Sequence, residues 1–408
     1  MSLAESLKLK SLSLITGNKA IKAPSPGDVV HRVFTGKKGE KEHFFTITAP
    51  EGLNFKEQVQ HIETHYTQKL RSLNLASNTA VFRRIFLSDA HNQADAVRRS
   101  ATICGTVEHP VAVSILQQSP IPYAKIALLS YHIESEKPLI RRRISSRHVL
   151  IRKNGLGHLW STGLCSQDID TTFSPARQTR NAFKELIAAL SAEKGNLADN
   201  CVRTWIYLRD IDTCYQSMVK ERRELFLRHG LTEDTHFIAS TGIQGSNAHL
   251  HDLVHMDAYS ILGLDPKQIS YLNDFDKLCA AKSYQVTFER GTRIAYEDRS
   301  HFLISGTASI NNRGVCLYPD NVLKQLDRTL ENIDSLLQAG KASLADMMYL
   351  IIYLRDPADS SAVRTRLSQL LPAVPTIIVQ GSVCRPEWLI EIEGIAIAAD
   401  HQPSCPPF

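Results

Sequence analysis

Two glutamates, Glu391 and Glu393, interrupt an apolar run near the end of the chain, Leu389-Ile390-Glu391-Ile392-Glu393. In an extended strand they point to one face while Ile390 and Ile392 point to the other. If helices cover the apolar face and another layer meets the opposite one, the carboxyl groups are partly buried. Burial raises their pKa and suits one of them to donate a proton near neutrality. Immediately upstream stands Cys384-Arg385-Pro386-Glu387-Trp388. Arg385 has two readings, a fork holding a substrate carboxylate or a structural ion pair with Glu391 or Glu393, and residue pattern alone favours the pair. His249, His251 and His255 fall on alternate positions of a run read as strand, a superficial metal pattern that lacks a further ligand. They are read as partly buried strand histidines, with no metal expected. The sequence has no Gly-rich phosphate loop, G-x-S-x-G elbow or H-E-x-x-H helix.

The elements that must position these groups come in three copies. One strand-like phrase recurs as Phe86-Leu87-Ser88-Asp89, Tyr207-Leu208-Arg209-Asp210 and Tyr353-Leu354-Arg355-Asp356, at intervals suited to a small domain rather than a solenoid repeat. The third copy is clearest. A strand over 301–310 and a Gly/Asn loop precede a helix capped by Asp320, with Val322, Leu326, Leu330, Ile333 and Leu337 in one stripe, ending at Gly340. Strand 347–354, helix 360–371 and strands 376–381 and 389–398 complete a β-α-β-α-β-β order. The second copy repeats it with strands 158–164, 202–208, 235–241 and 250–262 and helices 175–190 and 215–229. The first does so with strands 43–47, 80–87, 110–115 and 123–133 and helices 55–73 and 94–103. The expected architecture is therefore α+β, three tandem units forming a single-chain pseudo-trimer: an N-terminal extension 1–40, a degenerate unit 41–135, a second unit 146–265 and a third 284–400. Between units, 134–157 reads as a charged connector with an edge strand at 148–151, and 263–300 as a short helix at 275–281 and a lead-in strand at 285–288. Aligned on apolar alternation, the Glu391 position is His255 in the second copy and Lys125 in the first.

Composition narrows the function classes. The chain has 408 residues, 43% hydrophobic and 22% charged, enough apolar content for packed soluble domains. Its net charge of +5 is small for this length. The dense basic run Arg141-Arg142-Arg143 has no interleaved aromatics to stack bases, so it reads as a solvated linker and no nucleic-acid partner is expected. No apolar stretch is long enough to span a membrane, and the eight cysteines show no C-x-x-C pairing. A reducing, cytoplasmic setting is expected, without a membrane partner.

The third copy resembles a RidA (YjgF) superfamily domain. The resemblance rests on Ser305-Gly306 ending a strand, the long helix after Asp320, Tyr353-Leu354-Arg355-Asp356, and Glu391-Ile392-Glu393-Gly394-Ile395-Ala396, over about 285–398. The second copy matches more weakly and the first in outline. Family members assemble as trimers with ligand clefts between subunits, so three copies in one chain resemble that trimer made covalently. The imine deaminases of the family hold a carboxylate with an arginine two residues after the proline opening the penultimate strand, and here Ile377 follows Pro375. The chorismatase branch, with RidA-like domains in tandem, is the better likeness. Its signatures appear as Phe288-Glu289-Arg290, Ser305-Gly306-Thr307-Ala308-Ser309-Ile310, Thr241-Gly242-Ile243 and Cys384-Arg385-Pro386 through Glu391, while Arg222 is retained from its helix motif.

The resemblance implies a cofactor-independent enzyme releasing pyruvate from chorismate or a related cyclic enolpyruvyl carboxylate. Glu391 would be the acid; Arg385, Arg290, Ser305, Gly306, Cys384 and Tyr353 would bind the small carboxylate substrate. Rival readings are an enamine/imine deaminase with its carboxylate holder moved to Arg385, and a non-catalytic metabolite binder or scaffold. The superfamily's older endoribonuclease label finds no basic groove or histidine pair in this sequence. A monomer made of the three units is expected, with a homo-oligomer as the alternative.

Overall fold

The computed structural model describes residues 25, 27–165, 174–274, 276–278 and 287–408. Three sheets follow one another along the chain. The first contains β1 (Val30–Thr35), β2 (Lys41–Thr48), β3 (Ala80–Leu87), β4 (Ala112–Gln117) and β5 (Ile126–Glu134). The second contains β6 (Ile140–Arg143), β7 (His148–Lys153), β8 (Leu156–Cys165), β9 (Cys201–Leu208), β10 (Ala239–Gln244) and β11 (Val254–Leu262). The third contains β12 (Ile269–Tyr271), β13 (Gly291–Ala295), β14 (Arg299–Ala308), β15 (Met347–Leu354), β16 (Thr376–Gln380) and β17 (Ile390–Ala399). Their orders, β1-β2-β5-β3-β4, β10-β9-β11-β8-β7-β6 and β12-β13-β14-β17-β15-β16, share one four-stranded motif. In each, the last strand of the unit lies between its first and second strands, and the second pairs in parallel with the third.

Helices α1 (Phe55–Ser72), α2 (Ala90–Arg98) and α3 (Ala101–Cys104) belong to the first unit. The second has α4 (Pro175–Ala192), α5 (Leu197–Asn200) and α6 (Ile211–Arg228), and the third α7 (Val322–Ala339) and α8 (Ser360–Leu370). Asn321, rather than Asp320, caps α7 by accepting from the Lys324 N–H at 2.9 Å. Leu326, Leu330, Ile333 and Leu337 are all fully buried beneath it. Along β15 the alternation separates two cores. Leu350, Ile352 and Leu354 join the helix layer, whereas Tyr349, Ile351 and Tyr353 join a central core containing residues of all three sheets.

The central faces meet in cyclic order: β4 packs on β8, β10 on β14 and β16 on β2. Isolated bridges Gln117–Ser246, Pro120–Val379 and Ala239–Glu289 join the units at their seams. A buried ionic network occupies the middle. Arg84 reaches Asp257 at 3.2 Å and Glu393 at 3.3 Å, and Arg203 reaches Glu393 at 2.7 Å, so side chains of all three units are tied together. Among the described residues no helix is long and apolar enough to cross a membrane.

Several expectations change. The first unit's second helix is two pieces, α2 and α3, separated at Ser100, whose side chain caps α3. The basic run is a solvated edge strand rather than a linker: Ile140–Arg143 is β6, with Arg142 and Arg143 exposed, and Arg141 and Arg143 donate to the carbonyls of Ala80 and Val111. β11 begins at Val254, so His249 and His251 precede the strand and do not share a face with His255. The first-unit alignment also moves. Tyr353 pairs with Glu391, Tyr207 with His255 and Phe86 with Ala127, so Ala127 rather than Lys125 occupies the Glu391 position. A two-residue slip preserves period-two alternation, which is why apolar pattern alone did not reveal it. The short helix at 275–281 and the lead-in strand at 285–288 fall mainly outside the described residues, as does most of the 1–40 extension. Of those two elements, residues 276–278 form a turn, and Thr287 and Phe288 lie in no strand.

Candidate active site between the second and third units

Glu391 stands near the start of β17, where Ile390 and Ile392 are drawn into the helix-side core and leave the carboxylates on the central face. Opposite it, β14 carries a bulge. Ile304 pairs with Gly394 and Thr307 with Ile392, so Ser305-Gly306 holds one residue more than its partner strand. The extra residue brings the Gly306 backbone against Glu391: a Cβ there would lie 2.2 Å from Glu391 Oε1 and 3.1 Å from Thr241 Cγ2. Glycine at 306 is what lets Glu391 keep this position; no unusual φ calls for it. The Gly306 N–H donates to Thr241 Oγ1 at 2.9 Å, and the Ser240 N–H donates to Ser305 Oγ at 2.9 Å, clamping β10 of the second unit onto the bulge.

The seam opens into a cavity of about 310 Å³. The third unit contributes Glu391, Gly306, Ala308, Ile310, Cys384, Arg385 and Trp388, preceded in the chain by Phe288 and Arg290. The second unit contributes Ser240 and Gly242 from β10 and Tyr215, Gln216, Val219, Lys220, Arg222 and Arg223 from α6. Glu391 is the one carboxylate among the described lining residues, facing five cationic side chains. Burial, reinforced by the charge of Glu393, pushes its pKa up to about 8, against the opposing pull of Arg203 and Arg290. At neutral pH the carboxyl therefore holds a proton.

Glu393, two residues on, has the opposite environment. It accepts from Arg203, Arg84, Trp205 Nε1 at 2.9 Å, Tyr353 Oη at 3.0 Å and Thr241. It belongs to the central ionic network and does not line the cavity. Arg222 is buried and donates to Thr287 Oγ1 at 3.1 Å and Ser240 Oγ at 3.5 Å, both neutral hydroxyls. Burial lowers its pKa, so an anion in the cavity stabilises its charged form. Burial also pushes the Cys384 thiol up to about 12, with the nearby Glu391 adding to the effect, so Cys384 is a neutral thiol rather than a thiolate.

Residues 293–398 match the family described as Endoribonuclease L-PSP. A crystal structure of chorismatase is similar over 78% of this chain and 93% of its own, with a TM-score of 0.60 and 16% identity. Residues 293–398 are thus similar to the Endoribonuclease L-PSP family, in a chain with the chorismatase fold. Single-domain structures align with about one third of the chain. A putative endoribonuclease from Thermotoga maritima is 19% identical, with a TM-score of 0.27 and coverage of 32% of this chain and 97% of its own. RidA from the Antarctic bacterium Psychrobacter is 19% identical, with a TM-score of 0.27 and coverage of 32% and 99%. No curated protein matches the sequence.

Five of the expected site residues meet at the cavity: Glu391, Arg385, Arg290, Gly306 and Cys384. Two do not. Tyr353 is buried in the central core with its hydroxyl on Glu393, and Ser305 turns its hydroxyl onto the Glu289 carbonyl at 2.6 Å. Both hold the frame rather than line the space. Arg385 stacks its guanidinium 4.8 Å from the Trp388 ring centroid and donates to the Gly314 carbonyl at 3.1 Å. None of the ion pairs among the described residues joins it to Glu391 or Glu393, as the structural reading had required. Ile377, at the position of the deaminases' arginine, is fully buried in the central core. Among the described residues no group of His, Cys, Asp or Glu is arranged to hold a metal ion.

The α6 contribution went unseen in the sequence, apart from Arg222 as a retained motif residue. Its spacing was a signal: Tyr215, Val219 and Arg222, with Gln216, Lys220 and Arg223 beside them, fall three or four apart on adjoining rows of one helical face. Nothing in the sequence said which sheet that face would meet.

Proposed function

We propose that this protein cleaves the enolpyruvyl ether of chorismate or a related cyclic carboxylate, releasing pyruvate without a cofactor. The observation carrying this reading is the buried Glu391, the one carboxyl group among the described lining residues of a cavity lined with cationic side chains, its pKa pushed up to about 8 by burial and by Glu393. Glu391 donates its proton to the terminal methylene carbon of the enol ether, forming a methyl group and an oxocarbenium ion. Water adds to the cationic carbon and returns a proton to the Glu391 carboxylate. The hemiketal then expels the ring alcohol, so one ether and one water become an alcohol and pyruvate. Arg222, Arg290 and Arg385 hold the substrate carboxylates, and Tyr215, Phe288 and Trp388 flank its ring. The neutral Cys384 thiol shapes the wall and is no nucleophile.

The other two seams lack this acid, with His255 and Ala127 at the corresponding positions. His255 is buried, stacks on Tyr207 at 4.8 Å, and burial lowers its pKa to about 3, so at neutral pH it has no proton of comparable acidity to give. One active cleft per chain is expected. Incubation with chorismate, coupling pyruvate to lactate dehydrogenase, tests the proposal: turnover that disappears in Glu391→Gln supports it, and no pyruvate above that control removes it.

A further inference from the structure

The cations of the cavity fall into two sets. Arg222 and Arg290 are buried, beside the partly covered Arg385, and share the interior with Glu391. Lys220 and Arg223 are exposed at the lip, three residues apart on the same side of α6, where i and i+3 positions are neighbours. Among the described residues neither makes an ion pair or a hydrogen bond, whereas nearby Arg180 and Arg355 are engaged by Glu221 and Asp212. On the proposed reading the inner guanidiniums take the two carboxylates of the substrate. Glu391 is the one carboxylate among the described lining residues, and it is ion-paired with neither of the two lip cations.

We propose that the preferred substrate carries a third anionic group, a phosphomonoester on the ring, seated between Lys220 and Arg223. This deepens the pyruvate-releasing reading and rests on it for the identity of the rest of the molecule. A phosphomonoester brings about 1.5–2 negative charges near neutrality and three acceptor oxygens, matching a bidentate guanidinium and a mobile ammonium on adjacent helical turns. The cavity of about 310 Å³ opens at that lip, so the group remains partly hydrated.

The test compares chorismate with 5-enolpyruvylshikimate 3-phosphate as probes. Calorimetric titration into Glu391→Gln, which leaves both compounds uncleaved, is expected to give at least tenfold tighter binding of the phosphorylated probe. The ratio should shrink at high salt and fall to about twofold or less when Lys220→Ala and Arg223→Ala are added. Equal affinities, or a preference that survives removal of both cations, overturn the third anion subsite. Pyruvate formation by the unmutated protein is read separately. Its absence from both probes removes the enolpyruvyl-cleaving reading, while the binding ratio still decides the subsite.

Discussion

A Cβ on Gly306 would stand 2.2 Å from Glu391 Oε1, closer than any side chain can approach a carboxylate oxygen. The bulge in β14 and the proton-bearing group on β17 are therefore one device. The glycine leaves room for the carboxyl group, and the bulge turns that backbone toward it.

Gly306→Ala should disable the acid more than the fold. The clashing atom is the end of a side chain, so Glu391 can swing aside at a cost of about 1–3 kcal/mol in stability. A displaced acid is expected to cost about 100-fold in kcat. Urea unfolding alongside pyruvate release checks both, and an alanine variant with full activity would contradict the placement.

Activity should fall as pH rises through about 8, because the acid must hold its proton to donate it. Glu393 contributes to that elevated value, so Glu393→Gln should move the descending limb of kcat/KM to lower pH. The same substitution weakens the partners of Arg84 and Arg203, with an expected stability loss of about 3–5 kcal/mol. A pH profile of the surviving folded fraction reads the shift, and a limb unmoved by the substitution would show that Glu391 does not sense Glu393.

Stability should respond to pH in the corresponding direction. Glu391 has its ordinary value of 4.5 when unfolded and about 8 when folded, so the folded chain binds the extra proton. Its contribution is fully present below pH 4.5, erodes as pH rises, and the loss is complete near pH 8. Glu391→Gln escapes this penalty. It should exceed the unmutated protein by a few kcal/mol at pH 8 and converge with it at pH 4. Denaturant midpoints measured across that range provide the comparison.

Arg222→Met should separate binding from folding. The guanidinium is buried among hydroxyls and aromatic carbon, with no carboxylate among the ion pairs of the described residues, so an apolar replacement of similar length relieves desolvation. The melting temperature is expected to hold or rise while KM for a dicarboxylate increases at least 30-fold. A large loss of stability with unchanged KM would mark Arg222 as structural.

Much of the frame was legible in sequence. The run Met347 to Leu354 announced its strand residue for residue, and the stripe Leu326, Leu330, Ile333, Leu337 announced α7, because local periodicity must match whichever face is buried. The thrice-repeated strand phrase likewise announced three units, and Glu391 with Glu393 announced a polar face. Other features were ambiguous. Arg141 to Arg143 looked like a linker because no local pattern shows that the carbonyls of Ala80 and Val111 lie beside them.

What the chain alone determined is the repeat, the alternation and the pairing of two carboxyls on one strand face. Only the tertiary structure separated those carboxyls, giving Glu393 the arginines of the other two units and leaving Glu391 beside a cavity whose opposite wall is α6. It likewise moved Tyr353 and Ser305 from the site into its frame. The reason is physical: strand alternation is written within a few residues, whereas desolvation and charge pairing depend on neighbours more than a hundred residues away in the chain.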